Sequence, residues 1–155
     1  MKNDSTADST GVGAPPPRWV IKAMTHTHVF LHRFTGGRLF NTLGGKDVCF
    51  VTMTGAKSGR TLTIPLMYIP YQDSLLLVAS QGSAPKNPAW YHNLVKNPAI
   101  TVNYRDRRMK LRARLATPDE KLDLWPVCDQ RYAPYADYRK RTTRDIPIFV
   151  CKPAP

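Results

Sequence analysis

Between residues 100 and 115 apolar and polar positions alternate one for one. Ile100, Val102 and Tyr104 are separated by Thr101 and Asn103. Met109, Leu111, Ala113 and Leu115 are separated by Lys110, Arg112 and Arg114. A period of two marks a strand with one face inward. The two runs therefore predict a hairpin that turns around Arg105-Asp106 and holds three cations outward. Val48 to Thr54, rich in β-formers and stopped by Gly55, predicts another strand. Leu62 to Ile69 predicts the next, and Pro65 places it near an edge or bulge. Leu75 to Ser80 reads as a continuous buried strand, and Ile146 to Cys151 closes the set.

Helical spacing appears elsewhere. From Arg18 to Arg33, Trp19, Ile21, Ala23, Met24, His28, Val29 and Leu31 leave a broad apolar side beside Lys22, His32 and Arg33. Such a helix either covers the core or lies on a membrane surface. Asn87-Pro88 predicts a helix start, with Asn as the cap and proline at the first helical position. Trp90, Tyr91, Leu94 and Val95 follow at helical spacing. Thr117-Pro118-Asp119-Glu120 is a capping box; its helix runs through Leu122, Leu124 and Trp125, and Pro126 kinks or ends it. Tyr132, Tyr135 and Tyr138 recur every three residues, along one side of a helix.

Residues 1 to 17 are small and polar and end in GVGAPPP, which predicts a disordered tail. That leaves one domain over 18–155. The connections at 55 to 61, 70 to 74 and 105 to 107 are too short for parallel crossovers. The expected fold is therefore α+β: a small antiparallel barrel of about six strands with helices packed outside.

Charge adds a partner. Lys plus Arg total 23 against 11 acids, for a net charge of +12, which predicts anionic ligands. The cations cluster in RDRRMKLRAR (105 to 114) and RKRTTR (139 to 144). No RNP, KH or helix-turn-helix signature accompanies them, so nucleic acid is not expected. No apolar run of about 18 residues exists to cross a membrane, and the first residues lack the order of a signal peptide. Cys49, Cys128 and Cys151 are odd in number and form no CxxC, so they read as buried, reduced thiols of a cytoplasmic protein. His26, His28 and His32 share one helical stretch, but no acidic or thiol ligand lies nearby to favour a metal.

Two stretches carry candidate chemistry. Thr54-Gly55-Ala56-Lys57-Ser58-Gly59-Arg60 joins two strands and offers the donors of Lys57, Ser58 and Arg60. It is either a cradle for a phosphate or carboxylate or a solvated basic hairpin tip, and it lacks the order of a Walker motif. QGSAPKNPAWYHNLVKN (81 to 97) is a short loop opening a helix beside a strand, which presents backbone N–H groups to an anion. No nucleophile elbow and no paired carboxylates appear. The tyrosine triplet either lines a pocket or packs as a core stripe. Such a chain suits chemistry supplied by a bound organic cofactor.

Taken together, TGAKSG (54 to 59), Pro65-Leu66, Val78-Ala79-Ser80 with Gly82, KNPAWYHNL (86 to 94), NPAITV (97 to 102), TPDE at 117, YAPYADY (132 to 138) and IPIFVC (146 to 151) resemble the deazaflavin (coenzyme F420)-dependent nitroreductase family over about residues 40 to 153. The resemblance implies a split β-barrel, flavin-reductase-like, that passes hydride from reduced F420 to a quinone-like or nitroaromatic acceptor. FMN is the alternative cofactor, and a non-catalytic carrier the alternative role. By position, Lys57 and Ser58 would hold the cofactor phosphate, with Arg60 in support. Ser80, Gln81 and Gly82 would line the phosphate and ring region, and Trp90 and Asn93 would support the ring. Pro65, Lys86 and Asn87 belong to the same cofactor-binding set. Tyr132, Tyr135 and Tyr138 would flank the acceptor, one phenol donating a proton. Ala56, Leu62, Gln81 and Met67 depart from the residues commonest in the family. The partners implied are a small-molecule electron acceptor and, for a lipid quinone, peripheral membrane contact through the helix at 18 to 33. Both monomer and homodimer remain open.

Overall fold

The structure, a computed structural model, describes residues 42–43 and 45–155. The tail expected at 1 to 17, the helix expected at 18 to 33 and its three histidines lie outside the described residues.

The strands are β1 (Thr42–Leu43), β2 (Lys46–Thr54), β3 (Thr61–Met67), β4 (Ile69–Tyr71), β5 (Ser74–Val78), β6 (Ala99–Tyr104), β7 (Arg107–Leu115) and β8 (Ile148–Pro153). The helices are α1 (Ala89–Lys96), α2 (Pro118–Arg131) and α3 (Pro134–Arg141), with a 3-10 turn at Gln81–Ser83. Every pairing is antiparallel. The sheet runs β3-β2-β6-β7-β8-β5-β4, and β1 pairs with the first residues of β2. The alternating runs at 100 to 104 and 109 to 115 form the β6–β7 hairpin, in register from Ala99↔Arg112 to Tyr104↔Arg107.

There are more strands than the six expected. The run Leu62 to Ile69 splits at Tyr68. Its N–H bonds to the Asp47 carbonyl at 3.0 Å, ending the ladder to β2, and its ring stacks on Tyr104 with centroids 3.6 Å apart. Ile69 then pairs with Leu76 of β5. Among the described residues no ladder joins β3 to β4; the chain through Tyr68 links them. The sheet is therefore curved but open.

Period-two alternation in β5 and β8 divides the core. Leu75, Leu77, Phe149 and Cys151 face one apolar cluster with Val51, Val102 and Leu94. Leu76, Val78, Ile148 and Val150 face the other, which α2 and α3 cover through Leu124, Cys128 and Tyr135. Because both faces of β5 are covered, its sequence SLLLV shows no alternation.

Helix ends follow local chemistry. Thr117 Oγ1 accepts the Glu120 N–H and the Glu120 carboxylate accepts the Thr117 N–H, completing the capping box. The same carboxylate is gripped by both Arg114 nitrogens at 2.7 and 2.8 Å. Pro126 does not end α2, which continues to Arg131; only the partner of the Leu122 carbonyl is removed, and Leu122 is 74% exposed, on the side of the helix that water reaches. Helix α1 starts differently from the expectation: Pro88 takes the cap position without a side-chain bond, because the Asn87 oxygen is engaged by Arg144.

Candidate active site

The ends of β2, β3 and β5 leave a cleft of about 400 Å³ between the sheet, the 80 to 84 loop and α3. Antiparallel pairing sets Val48 opposite Met67 and Phe50 opposite Pro65, and Val48, Pro65, Leu66 and Met67 form one wall. Val78, Ser80, Gln81 and Gly82 form the next, where β5 runs into the loop. Pro88 and Trp90 enter from α1, and Lys46 stands at the start of β2. Tyr132, Tyr135 and Tyr138 complete the lining.

The three tyrosines lie on two helices rather than one. Helix α2 ends at Tyr132, which is extended (φ −145°), and α3 begins at Pro134. The kink nevertheless brings the rings together, with centroids 5.0 Å apart for Tyr132–Tyr135 and 6.2 Å for Tyr135–Tyr138, the first pair edge to face. The hydroxyls of Tyr132 and Tyr138 lie 3.3 Å apart, either able to donate. Tyr135 is buried, and burial, then the neighbouring Cys128, pushes its phenol well above the ordinary tyrosine value. The hydrogen bond with Tyr132, and then burial, pushes Tyr138 up as well. At neutral pH Tyr135 and Tyr138 are protonated donors. Among the described residues, Lys46 and the three tyrosines are the titratable side chains that line the cleft. Burial drives the thiols of Cys49 and Cys128 up to about 12, and all three cysteines are free and buried.

The turn after β2 is fixed from within and from α1. The Gly55 N–H donates to the Arg60 carbonyl at 2.8 Å and the Gly59 N–H to the Gly55 carbonyl at 3.0 Å, with Gly59 left-handed (φ +66°). The Ser58 hydroxyl accepts the Arg60 N–H at 3.2 Å and would sit 2.6 Å from a Cβ at position 55, so a side chain there would have to displace it from this bond. From α1, Asn93 Oδ1 accepts the Ala56 N–H at 2.8 Å, Lys96 Nζ donates to the Ala56 carbonyl at 2.7 Å, and Asn97 Nδ2 donates to the Thr54 carbonyl at 3.3 Å. Lys57, Ser58 and Arg60 are left exposed at the tip. Trp90 lies one turn before Asn93 on the same helix, so α1 spans from the cleft to this basic turn.

The loop after β5 has an uncommon backbone. Gln81, Gly82 and Ser83 are all left-handed, with φ of 45°, 56° and 71°, a conformation that disfavours side chains. Arg144, just past α3, spans it. Its Nε donates to the Ala84 carbonyl at 3.1 Å. One terminal nitrogen donates to the Ala79 carbonyl at 3.1 Å and to Asn87 Oδ1, the other to the Ser80 carbonyl at 2.8 Å. Burial among these neutral oxygens pulls its pKa below the usual arginine value.

Of the residues the sequence singles out, Pro65, Ser80, Gln81, Gly82, Trp90, Tyr132, Tyr135 and Tyr138 meet in the cleft. Lys57, Ser58 and Arg60 stand on the basic turn and Lys86 is exposed before α1. Asn87 and Asn93 turn their side chains to Arg144 and Ala56, respectively. Sequence reasoning missed Lys46, Met67 as a cleft wall, and Arg144. The pairing of β2 with β3 would have found Met67; nothing local announces Arg144, which acts some 60 residues away in sequence from its acceptors.

Among the described residues, an apolar and aromatic cleft on an open antiparallel sheet, linked through α1 to a cationic turn, suits a domain that positions an organic redox cofactor. The family model of F420H(2)-dependent quinone reductases matches residues 24–153, and the chain belongs to that family. An F420H(2)-dependent quinone reductase of Mycobacterium tuberculosis is 34% identical over 141 residues, which is 86% of this chain and 95% of the relative. Among solved structures, an F420-H2 dependent reductase is 36% identical with a TM-score of 0.64, covering 68% of this chain and 93% of the other. A structure described as a domain-swapped dimer is 31% identical with a TM-score of 0.65, covering 86% and 97%.

Proposed function

We propose that this chain is an F420-dependent oxidoreductase that reduces a quinone. The observation that carries the reading is the cleft, apolar and aromatic on its walls, with protonated phenols as its proton-bearing groups and a cationic turn tied to it through α1. The volume suits a flat ring system. F420 joins a deazaflavin ring to a phosphate and several glutamate carboxylates, and these residues fit both parts. Trp90, Pro65 and the 80 to 82 segment would hold the ring. Lys57, Ser58 and Arg60, with Lys86, would meet the acidic tail, and the +12 chain draws it in.

When bound in reduced form the cofactor supplies the hydride. The chain supplies the rest. The apolar walls exclude water from the acceptor. Tyr135, neutral at working pH, donates a hydrogen bond to the acceptor oxygen on which charge develops. The Tyr132–Tyr138 pair stands beside it to pass a proton inward, so that the acceptor gains a hydride and a proton overall. Nitroaromatic compounds are a second acceptor class for the same cleft. The open sheet is consistent with a split barrel, and the domain-swapped neighbour supports a homodimer. Peripheral membrane contact through residues 18 to 33 fits a lipid quinone.

The test is to titrate the purified chain with F420 and with FMN at low salt, following the fluorescence of each, and then to follow oxidation of reduced F420 by a soluble quinone. Saturable F420 binding with quinone-dependent turnover is expected. Tight FMN binding with indifference to F420 would overturn the reading.

A further inference from the structure

Arg144 is not among the residues lining the cleft, yet it holds the segment that does. Its acceptors bracket the left-handed loop: the carbonyls of Ala79 and Ser80 on one side, that of Ala84 on the other, and the Asn87 amide oxygen just before α1. Within that bracket Gln81 and Ser83 occupy a backbone region that non-glycine residues seldom adopt, and such conformations persist only where surrounding contacts over-determine them. Within the loop, the Ser83 N–H donates to the Ser80 carbonyl at 3.2 Å and the Ala84 N–H to the Gln81 carbonyl at 3.1 Å. Ser83 Oγ is buried without a partner. The left-handed residues and the unpartnered hydroxyl leave this shape dependent on contacts from outside the loop.

Arginine is suited to the task because its planar fork carries five donors at fixed angles, whereas the ammonium of lysine is a single point on a flexible stem. Arg144 is itself set in place. Its N–H donates to Thr142 Oγ1 at 3.1 Å, in the chain that leaves α3, the helix carrying Tyr135 and Tyr138. The guanidinium thus joins the tyrosine wall of the cleft to the loop wall opposite.

We propose that Arg144 is a positioning residue for the active site: it fixes the 80 to 84 loop in the left-handed form that presents Ser80, Gln81 and Gly82 to the cofactor, without touching cofactor or acceptor. The assignment rests on the F420 reading for its functional consequence, but its structural half stands without it.

The test compares the full chain with Arg144→Lys and with the milder Asn87→Ala, which removes one of the acceptors. Without any ligand, amide hydrogen exchange at Ser83 and Ala84 should accelerate by about tenfold or more in Arg144→Lys, while the β6–β7 ladder stays protected. With F420, the dissociation constant should rise by about tenfold and KM for the cofactor should follow it, with a smaller change in kcat. Asn87→Ala should fall between wild type and Arg144→Lys on both readouts. Thr117→Ala, a cap lesion far from the cleft, serves as the stability control: it should lower Tm without raising the dissociation constant. Unchanged exchange at Ser83 and Ala84 would overturn the proposal. So would altered exchange with unaltered cofactor affinity, or an equal affinity loss in Thr117→Ala. Failure of the wild-type chain to bind F420 would remove the cofactor reading, while the exchange comparison still decides the role of Arg144 in holding the loop.

Discussion

Asn93 and Ala56 meet across the molecule: the side-chain oxygen of the one accepts the backbone N–H of the other at 2.8 Å. Asn93 is buried, and its nitrogen lies 3.7 Å from the Met53 sulfur. Through this contact the helix that brings Trp90 to the cleft also fixes the turn that carries Lys57.

Replacing Asn93 by alanine strands the Ala56 N–H in a half-buried site. The expected loss is about 1–3 kcal/mol of stability, read from urea unfolding. A rise in KM for F420 should accompany it, because the basic turn loses its anchor. An Asn93→Ala variant with wild-type stability would show that the contact contributes nothing.

Lys57→Ala should weaken cofactor binding with little change in kcat. The side chain is exposed, so the effect is modest, about two- to fivefold in KM, as for other solvent-screened charges. It should shrink further as salt is raised and screening lengths fall. Steady-state kinetics at two ionic strengths check both statements; an unchanged KM at low salt would remove Lys57 as an anchor.

Tyr135→Phe should lower turnover of the quinone by about tenfold, the value of one hydrogen bond made in the transition state, and leave F420 affinity near wild type. Equal losses in both would contradict the assigned role. The pH profile carries a sign as well. A phenol acts here only while protonated, and the values of Tyr135 and Tyr138 are raised above the ordinary 10.0. The alkaline fall in kcat therefore lies above that value, and no loss is expected through the neutral and mildly basic range.

Glu120 gives a stability prediction with the opposite sign. The Arg114 guanidinium, and then the Thr117 N–H, hold its carboxyl at about 2, below the ordinary 4.5. A depressed carboxyl stabilises the fold above the unfolded value and loses that contribution as pH falls through the folded one. Glu120→Gln should therefore lower Tm at neutral pH, and the gap between the two proteins should close between 4.5 and about 2. A gap that stays constant over that window would show that the ion pair is immaterial.

Sequence pattern announced the elements whose environment is one-sided. β6 and β7 alternate because one face meets the core and the other meets water, and the capping box at Thr117 uses bonds confined to four neighbouring residues. The all-buried β5 was legible as a strand but not as a wall shared by two cores. The break at Tyr68 was not legible, because it depends on the Tyr104 ring from another strand. The same holds at the site. Residues 80 to 82 and the tyrosine triplet were visible through their motifs, and they converge in the cleft. Asn87 reads as a helix cap by its place before proline, but a guanidinium from the far end of the chain claims its oxygen. Met67 and Lys46 enter the cleft through strand register, which no short window of sequence contains.

The seam at Tyr68 bears on what the protein can accept. The cleft is bounded on one flank by β3 and on the other by β5, and the rim that would tie them together carries no row of interstrand bonds among the described residues. Among the described residues, the two flanks are joined through the chain at Tyr68 rather than through a ladder. In the proposed reading of the cleft as the acceptor site, a crosslink across this seam is expected to narrow the range of acceptor thickness without altering a single cleft side chain.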